Sequence, residues 1–496
     1  MAVMHRTPDV DGAPSSGDEA SATGPLGDGA QGPDTAARLE AHGIDHIPEG
    51  ERYGKARSLF SVWAAPNVSY LSLVVGAALI LMGLSLDQAL WVIVSGNLFW
   101  AFTAFIAVSG PAAGTTGSVI SRAMYGIRGN KVVLVITGWL IAAAYLALNW
   151  SAASVAGIGL ARQLGLEESP VLSGTVIVLI AAATIALAVY GHGAILRLYG
   201  PLSILLTLVF LAVSGFILTR TDWSYQPPEA LEGAPLWAAL AGGFAIVASA
   251  PLSYSNSPDL ARYLPSRTRP VAVAGWTFLG AFLPSIVFTA MGAFAATALD
   301  MTDPEKALEG IMPGWFVPMF VVAVVLNTVS NNGLTAYSAG LTLQSIGLRI
   351  SRVWAVLAIG VLGTAMTLYS ILVFDFLTSV STMLELVTIL TGPAMAVFVM
   401  DIVMRRNHYD GKELLDQDRG GPFWYDRGFN WAGLSAMVLG GLAAALFVGT
   451  TFWMGPWAEA AGGLSLSIPA GMAVAALVYW LVGRSPRVGL FRGVHA

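Results

Sequence analysis

The chain contains no cysteine among its 496 residues, so it has neither disulfides nor thiolate metal sites, although this leaves its compartment open. Charge is almost as scarce: Asp, Glu, Lys and Arg make up 11% of the residues, under half of the roughly 25% usual in soluble proteins. So few charges cannot cover the surface of a soluble chain this long, which argues against a soluble enzyme, a disordered protein and a nucleic-acid binder alike. The net charge of −5 leaves no basic footprint for nucleic acid. The apolar segments also hold no paired carboxylates, no His-based metal cluster and no Ser–His pairing, which disfavours a membrane-embedded enzyme.

What the chain has in quantity is apolar length. Hydrophobic residues make up 55%, with 55 Gly and 15 Trp, a composition that suits a polytopic helical membrane protein. From Leu59 onward, twelve apolar runs are long enough to cross a bilayer as helix: 59–84, 87–110, 132–161, 170–190, 200–219, 235–257, 270–298, 315–346, 353–372, 376–403, 430–452 and 464–482. Nothing alternates with period two, so a barrel is excluded. The expected fold class is therefore an all-α integral membrane protein. Residues 1–50 are rich in Gly, Ala, Ser, Pro and acids without apolar period, and read as a disordered tail. Of the 25 Lys and Arg, all but Arg162, Arg220 and Lys306 fall on the side of the two termini. By the positive-inside rule both termini are expected in the cytoplasm of a multi-pass plasma-membrane protein.

Two spans are interrupted. The first reads SVWAAPNVSYLS and places Pro66, Asn67, Ser69 and Ser72 in an otherwise apolar helix. The sixth carries Gly242 and Gly243, then Pro251, then Ser253, Ser255, Asn256, Ser257 and Pro258. Each Pro removes a donor and frees the carbonyl one turn back. In lipid such freed groups must be buried or line a cavity. The two breaks occupy corresponding positions in two five-helix halves, which points to a transporter site at a repeat interface. The alternative is a pair of Pro kinks with Ser hydroxyls bonding back to the helix.

Several blocks, in order, resemble the nucleobase–cation symporter family 1, the purine–cytosine permease family. They are IPEGERYGKARSLFSVWAAPN (47–67), GPAAGTTGSVISRAMYGIRGN (110–130), NSPDLARYLP (256–265) and LNTVSNNGLTAYSAGLTLQSIGLRISR (326–352), followed by GPAMAVFVMDIVMRRNHYD and FWYDRGFNWAGL. The resemblance implies an inverted-repeat (5+5, leucine-transporter-like) core of ten helices over 51–403, a cytoplasmic loop at 404–429 and two additional helices with a short C-terminus over 430–496. It also implies alternating access to a nucleobase or related ring. A planar heterocycle can be recognised without net charge by an aromatic face and by amides that both donate and accept. On span 3, Tyr145 and Asn149 lie four apart on one helical face and resemble the family's aromatic-and-amide pair, with Trp139 and Trp150 as rivals for stacking. On span 8, Asn327, Asn331 and Asn332 suggest a polar lining, with Asn331 the expected substrate contact and Asn332 the alternative if the register slips. With Asn67, Ser69 and Ser253 at the breaks, these complete the expected substrate site. Where sodium-coupled relatives carry hydroxyls before the first Asn of span 8, this chain has Val325 and Leu326, and Ala250 stands where some relatives have an aromatic.

Coupling is the remaining question. Glu385 lies about 15 Å into span 10, near the bilayer midplane, where an ionisable residue marks a functional site by default. With sodium oxygens missing, Glu385 is the expected proton carrier; a neutral bracing Glu or a contact to a ring N–H are the alternatives. Asp259, Arg262, Arg122, Asp401 and Arg405 read as structural pairs or gate contacts at cytoplasmic helix ends, and His192 and Arg197 as ordinary polar residues of a short link. The reading is thus a proton-coupled symporter of cytosine or a purine, monomeric, without cofactor or metal, its partners being the small-molecule substrate and the bilayer. Allantoin, hydantoin, uracil, thiamine or a pyridoxine-like ring are alternative substrates, sodium is the alternative ion, and a non-transporting nucleobase receptor is the rival class.

Overall fold

In the computed structural model the described residues are 42–484, apart from 168, 349, 374, 375, 451 and 452. Among them nine helices are long and apolar enough to cross a membrane. A tenth crossing is the bent pair Ser58–Asn67 and Tyr70–Leu81, whose halves meet at 55°. Two shorter apolar helices, Trp431–Phe447 and Ser467–Gly483, have 17 residues each, the lower end of what spans the hydrocarbon. These helices coincide in order with the twelve predicted spans, and the same span numbers are used below. No strand occurs among the described residues beyond two isolated bridges.

Span boundaries differ from the hydropathy reading where a helix continues through polar sequence. Span 3 runs Ile127–Arg162, so the GIRGN block expected to be loop begins the helix, which includes a π-helical stretch at Val135–Leu140. Spans 4 (Pro170–Tyr190) and 5 (His192–Leu218) are separated by Gly191 alone, whose φ of +81° only Gly adopts readily. His192 is therefore not a loop residue: it is buried and stacks on Tyr263 at 4.4 Å between ring centroids. Ordered structure also begins before residue 50. Ile47 is fully buried, its N–H bonds Gly114 O at 2.8 Å, and Arg52 donates to the carbonyls of Ile47 and Pro111. Residues 1–41 of the expected tail lie outside the described residues.

Both predicted breaks are present, and at each one side chains from other spans take up freed backbone groups. At the break of span 1, Asn327 Nδ2 of span 8 donates to Ala65 O (3.1 Å) and Pro66 O (3.2 Å), while Ser69 Oγ caps Leu71 N–H. Span 6 (Gly233–Ser253) ends at a turn before the short helix Pro258–Ala261. There Thr103 of span 2 donates to Pro251 O at 2.6 Å, and Ser257 Oγ donates to Thr103 O at 2.8 Å. The pairing satisfies the requirement that unwound backbone inside a membrane be bonded within the protein.

Span 7 (Pro270–Ala296) supports span 1 through glycine. A side chain on Gly280 would run into the backbone of Phe60, one on Gly292 into that of Leu73, and one on Gly76 into that of Thr289. The two helices therefore touch backbone to backbone on both sides of the break, the close approach that small residues permit in membranes.

On the side opposite the termini, the short helix Pro304–Glu309 wedges the buried Glu305 against Gly159 of span 3. Burial, and then Glu309 beside it, push the Glu305 carboxyl up to about 7, against the pull of Arg162. A folded-state value above the unfolded one means the folded protein holds the proton longer. Stability should therefore fall as pH rises from about 4.5 to about 7 and stay level above that. Glu305→Gln is expected to flatten this slope and to raise stability at pH 8 by roughly 2 kcal/mol. Melting temperatures between pH 5 and 8 check it; an unchanged slope in the variant would show that another group carries it.

Candidate substrate site

Two cavities, each with polar side chains set in a largely apolar wall, share lining residues in the middle of the helix bundle. The one toward the basic side is lined by Ser118 and Ser121 from the segment between spans 2 and 3, by Thr137 of span 3 and by Thr335 and Thr342 of span 8. The other lies toward the opposite side, lined by Asn67 and Ser69 at the break of span 1, Asn97 of span 2, and Ser285 and Thr289 of span 7. Tyr145, Asn149, Tyr254 and Asn331 line both. These four residues border both spaces and form the partition between them.

The partition is held by hydrogen bonds between neutral groups. Ser253 Oγ donates to Tyr145 OH at 2.9 Å, and Tyr254 OH donates to Asn331 Oδ1 at 2.9 Å. Asn149 Nδ2 bonds back to Tyr145 O at 2.9 Å, which leaves its Oδ1 facing Asn331 Nδ2 at 3.5 Å. That last contact is at the limit of a hydrogen bond, so an amide donor and an amide acceptor can exchange it for a ligand at little loss. No charged side chain among the described residues lines either cavity. Such a site suits an uncharged planar molecule with alternating donors and acceptors on its edge.

The structure brings together Tyr145, Asn149, Ser253 and Asn331, and places Asn67 and Ser69 on the outer cavity with Asn67 Nδ2 tied back to Trp63 O at 2.8 Å. It separates the other two asparagines from them. Asn327 bonds the carbonyls at the break of span 1, and Asn332, fully buried, donates to Leu146 O of span 3 at 2.9 Å. Neither lines a cavity described above: Asn332 points about 100° away from Asn331, and Asn327, on the same face as Asn331 but one turn earlier, is taken up by the break of span 1. Trp150 is fully buried and donates to Thr184 Oγ1 at 3.0 Å, joining spans 3 and 4, so it is not the stacking ring. Glu385 lines neither cavity; its Oε1 lies 3.7 Å from where a side chain on Gly242 would begin, and its neighbour Leu384 reaches the outer cavity.

Tyr254 is the residue that sequence reasoning passed over. It stands one turn beyond Ala250, at the break itself, and its ring is set by Trp63 (5.0 Å, edge-on) and Trp100 (5.5 Å). The signal was an aromatic between two Ser in the unwound segment SYSNSP. The gap left by Ala250 is thus matched by a second ring four residues later.

The charged residues at the basic ends act as structure. Asp401 and Arg405 pair at 2.8 Å, with Tyr409 and Tyr479 also donating to the carboxylate. Asp259 accepts Gly117 N–H at 2.8 Å, Arg122 donates to Leu414 O at 2.9 Å, and Arg262 donates to Gly43 O and Tyr337 OH.

Residues 46–483 match the family described as permease for cytosine/purines, uracil, thiamine, allantoin. The chain belongs to that family. It is a membrane permease of the nucleobase type, not an enzyme. Among curated proteins it is similar to YxlA of Bacillus subtilis (strain 168), named as a candidate purine-cytosine permease, at 26% identity over 90% of this chain and 96% of that one. It is also similar to the purine-cytosine permease fcyB of Emericella nidulans, at 24% identity over 89% and 87% of the two chains. Among solved structures, Mhp1, a nucleobase-cation-symport-1 family transporter in a closed conformation with bromovinylhydantoin bound, superposes with a TM-score of 0.73 at 18% identity, covering 92% of this chain and 98% of that one. Inward-facing Mhp1 gives 0.68 at 17% identity, covering 91% and 98%. The likeness establishes the fold, an all-helical bundle of the leucine-transporter-like kind.

Proposed function

We propose that the protein is a secondary active symporter that imports an uncharged nucleobase, cytosine or a purine, by alternating access, driven by protons. The observation that carries this reading is the neutral partition: Tyr145, Asn149, Tyr254 and Asn331 face two cavities at once, so a ring held among them can be exposed to either side by opening one cavity and closing the other. The amide and hydroxyl groups supply the donors and acceptors, and the tyrosine faces supply stacking. The absence of charge from the lining disfavours thiamine, a cation, because a buried charge needs a partner.

Two observations favour protons over sodium. The carbonyls freed at the break of span 1 are bonded by the Asn327 amide, and the preceding Val325 and Leu326 offer no side-chain oxygen, so this place is poor in the free oxygens that a hard cation requires. Glu385, by contrast, stands inside span 10 beside the Gly242–Gly243 pair of span 6 with no hydrogen bond to its carboxylate among the described residues. A carboxyl so placed can take and release a proton as spans 6 and 10 shift.

Uptake of labelled cytosine into cells lacking their own nucleobase carriers tests the proposal, with purines, uracil, allantoin and thiamine as competitors. Uptake is expected to survive replacement of sodium, collapse with a protonophore, and be competed by purines but not by thiamine. Glu385→Gln should abolish accumulation against a gradient while leaving exchange of internal for external substrate. Sodium-dependent uptake, or accumulation by Glu385→Gln equal to wild type, would overturn the coupling.

A further inference from the structure

Spans 4, 5 and 8 border a third cavity, on the outer surface of the bundle, whose lining shares no residue with the two inner cavities. Its lining is apolar almost throughout: Ala186 from span 4, Ala194, Leu198 and Leu205 from span 5, and Leu326 and Val329 from span 8. Two local causes create it. Alanines stand where larger side chains would fill the space between spans 4 and 5, and Pro201, inside span 5, removes the N–H that would bond the carbonyl of Arg197. The groove opens to the lipid, as the exposure of Leu198 and Leu205, near one half each, records.

Length and charge identify the occupant. From Ala194 to Leu205 span 5 rises about 16 Å at about 1.5 Å per residue, half of a hydrocarbon core about 30 Å thick. The groove is therefore one leaflet deep. It starts at the basic side, where Tyr190, itself part of the lining and half-exposed, ends span 4. Arg197 is exposed and stands beside the lining stripe of span 5, three residues after Ala194 and four before Pro201, without itself lining the groove. A guanidinium on a long stem reaches the headgroup level from this depth, and a tyrosine ring sits there readily. Anionic headgroups are attracted to such a cation in the cytoplasmic leaflet.

We propose that this groove is a binding site for an anionic phospholipid of the leaflet on the basic side, its acyl chain lying along Ala194–Leu205 and its phosphate at Arg197 and Tyr190. The chain's floor is formed by Leu326 and Val329, which flank Asn327, so the lipid lies directly behind the residue that ties span 8 to the break of span 1.

Competition between phosphatidylglycerol and phosphatidylcholine of identical chains tests this on the full-length protein, with retained lipid measured by native mass spectrometry. The wild type is expected to retain phosphatidylglycerol at least about threefold over phosphatidylcholine. Arg197→Gln should bring that ratio to one, and Ala194→Trp, which fills the groove, should remove the retained lipid. A monodisperse size-exclusion peak and a melting temperature close to wild type verify that Ala194→Trp is folded, and Ala186→Phe serves as a second filling variant. Equal retention of the two headgroups by the wild type, or undiminished retention by both filled variants, would overturn the assignment. The readout is lipid binding, so it stands or falls independently of what the permease carries.

Discussion

Asn331→Ala is expected to raise the KM for the transported base by roughly 10- to 100-fold, with the amount of protein in the membrane unchanged. Asn331 is the one amide that closes the partition from span 8, accepting from Tyr254 OH at 2.9 Å and reaching Asn149 Oδ1 at 3.5 Å. Its removal deletes a donor and an acceptor at the ligand's edge and leaves the Tyr254 hydroxyl without its acceptor. Each buried polar group so orphaned costs about 1–3 kcal/mol, which is the stated change in affinity. Asn331→Asp keeps the shape and should do worse, because it brings an unpaired charge into a lining that has none. Asn332→Ala is the informative contrast: that side chain bonds Leu146 O away from both cavities, so it should lower stability and leave KM near wild type. Concentration-dependent uptake and a melting curve for the three variants separate these effects. Equal KM changes at 331 and 332 would place the site elsewhere.

The second large effect concerns folding. Gly292→Leu is expected to yield no monodisperse protein, and Gly292→Ala to cost about 3 kcal/mol or more. A Cβ at 292 meets the carbonyl, carbonyl carbon and Cα of Leu73, and backbone cannot rotate away as a side chain can. Spans 1 and 7 would have to separate along their length, beyond the usual 1–3 kcal/mol of overpacking. Gly275→Ala, in the same helix with nothing near its Cβ, should be neutral or slightly stabilising. Size-exclusion profiles and melting temperatures decide it; a well-behaved Gly292→Leu would mean the two helices are looser than the structure shows.

Much of this architecture is legible in the residues themselves. A bilayer demands long apolar helices, so their order can be read directly, and a Pro among Ser and Asn in such a helix has few outcomes besides a break. Contacts between spans are another matter. Asn327, Asn331 and Asn332 look equivalent in sequence, yet one bonds unwound carbonyls, one faces the cavities and one holds span 3, because each points to a different neighbour. Tyr254 was hidden for the opposite reason: an aromatic near a helix end resembles the interfacial belt, and only the fold of span 6 turns it inward onto Trp63. His192 looked like loop because a single Gly is too short an interruption to suggest a buried corner.

The glycine contacts between spans 1 and 7 bear on how such a molecule could move. Gly280 seats the inner half of span 1 at Phe60, and Gly292 seats the outer half at Leu73, so one continuous helix clamps both arms of a bent one. The elbow at residues 67–70 is thereby braced and does not serve as a joint. Under the proposed alternating access, rocking that exposed the partition to one side would carry spans 1 and 7 together as a single lever. The tie from Asn327 to Ala65 and Pro66, two amide hydrogen bonds at about 1 kcal/mol each, would then be what opens. A latch of that strength would hold a resting position and release it within ordinary thermal reach.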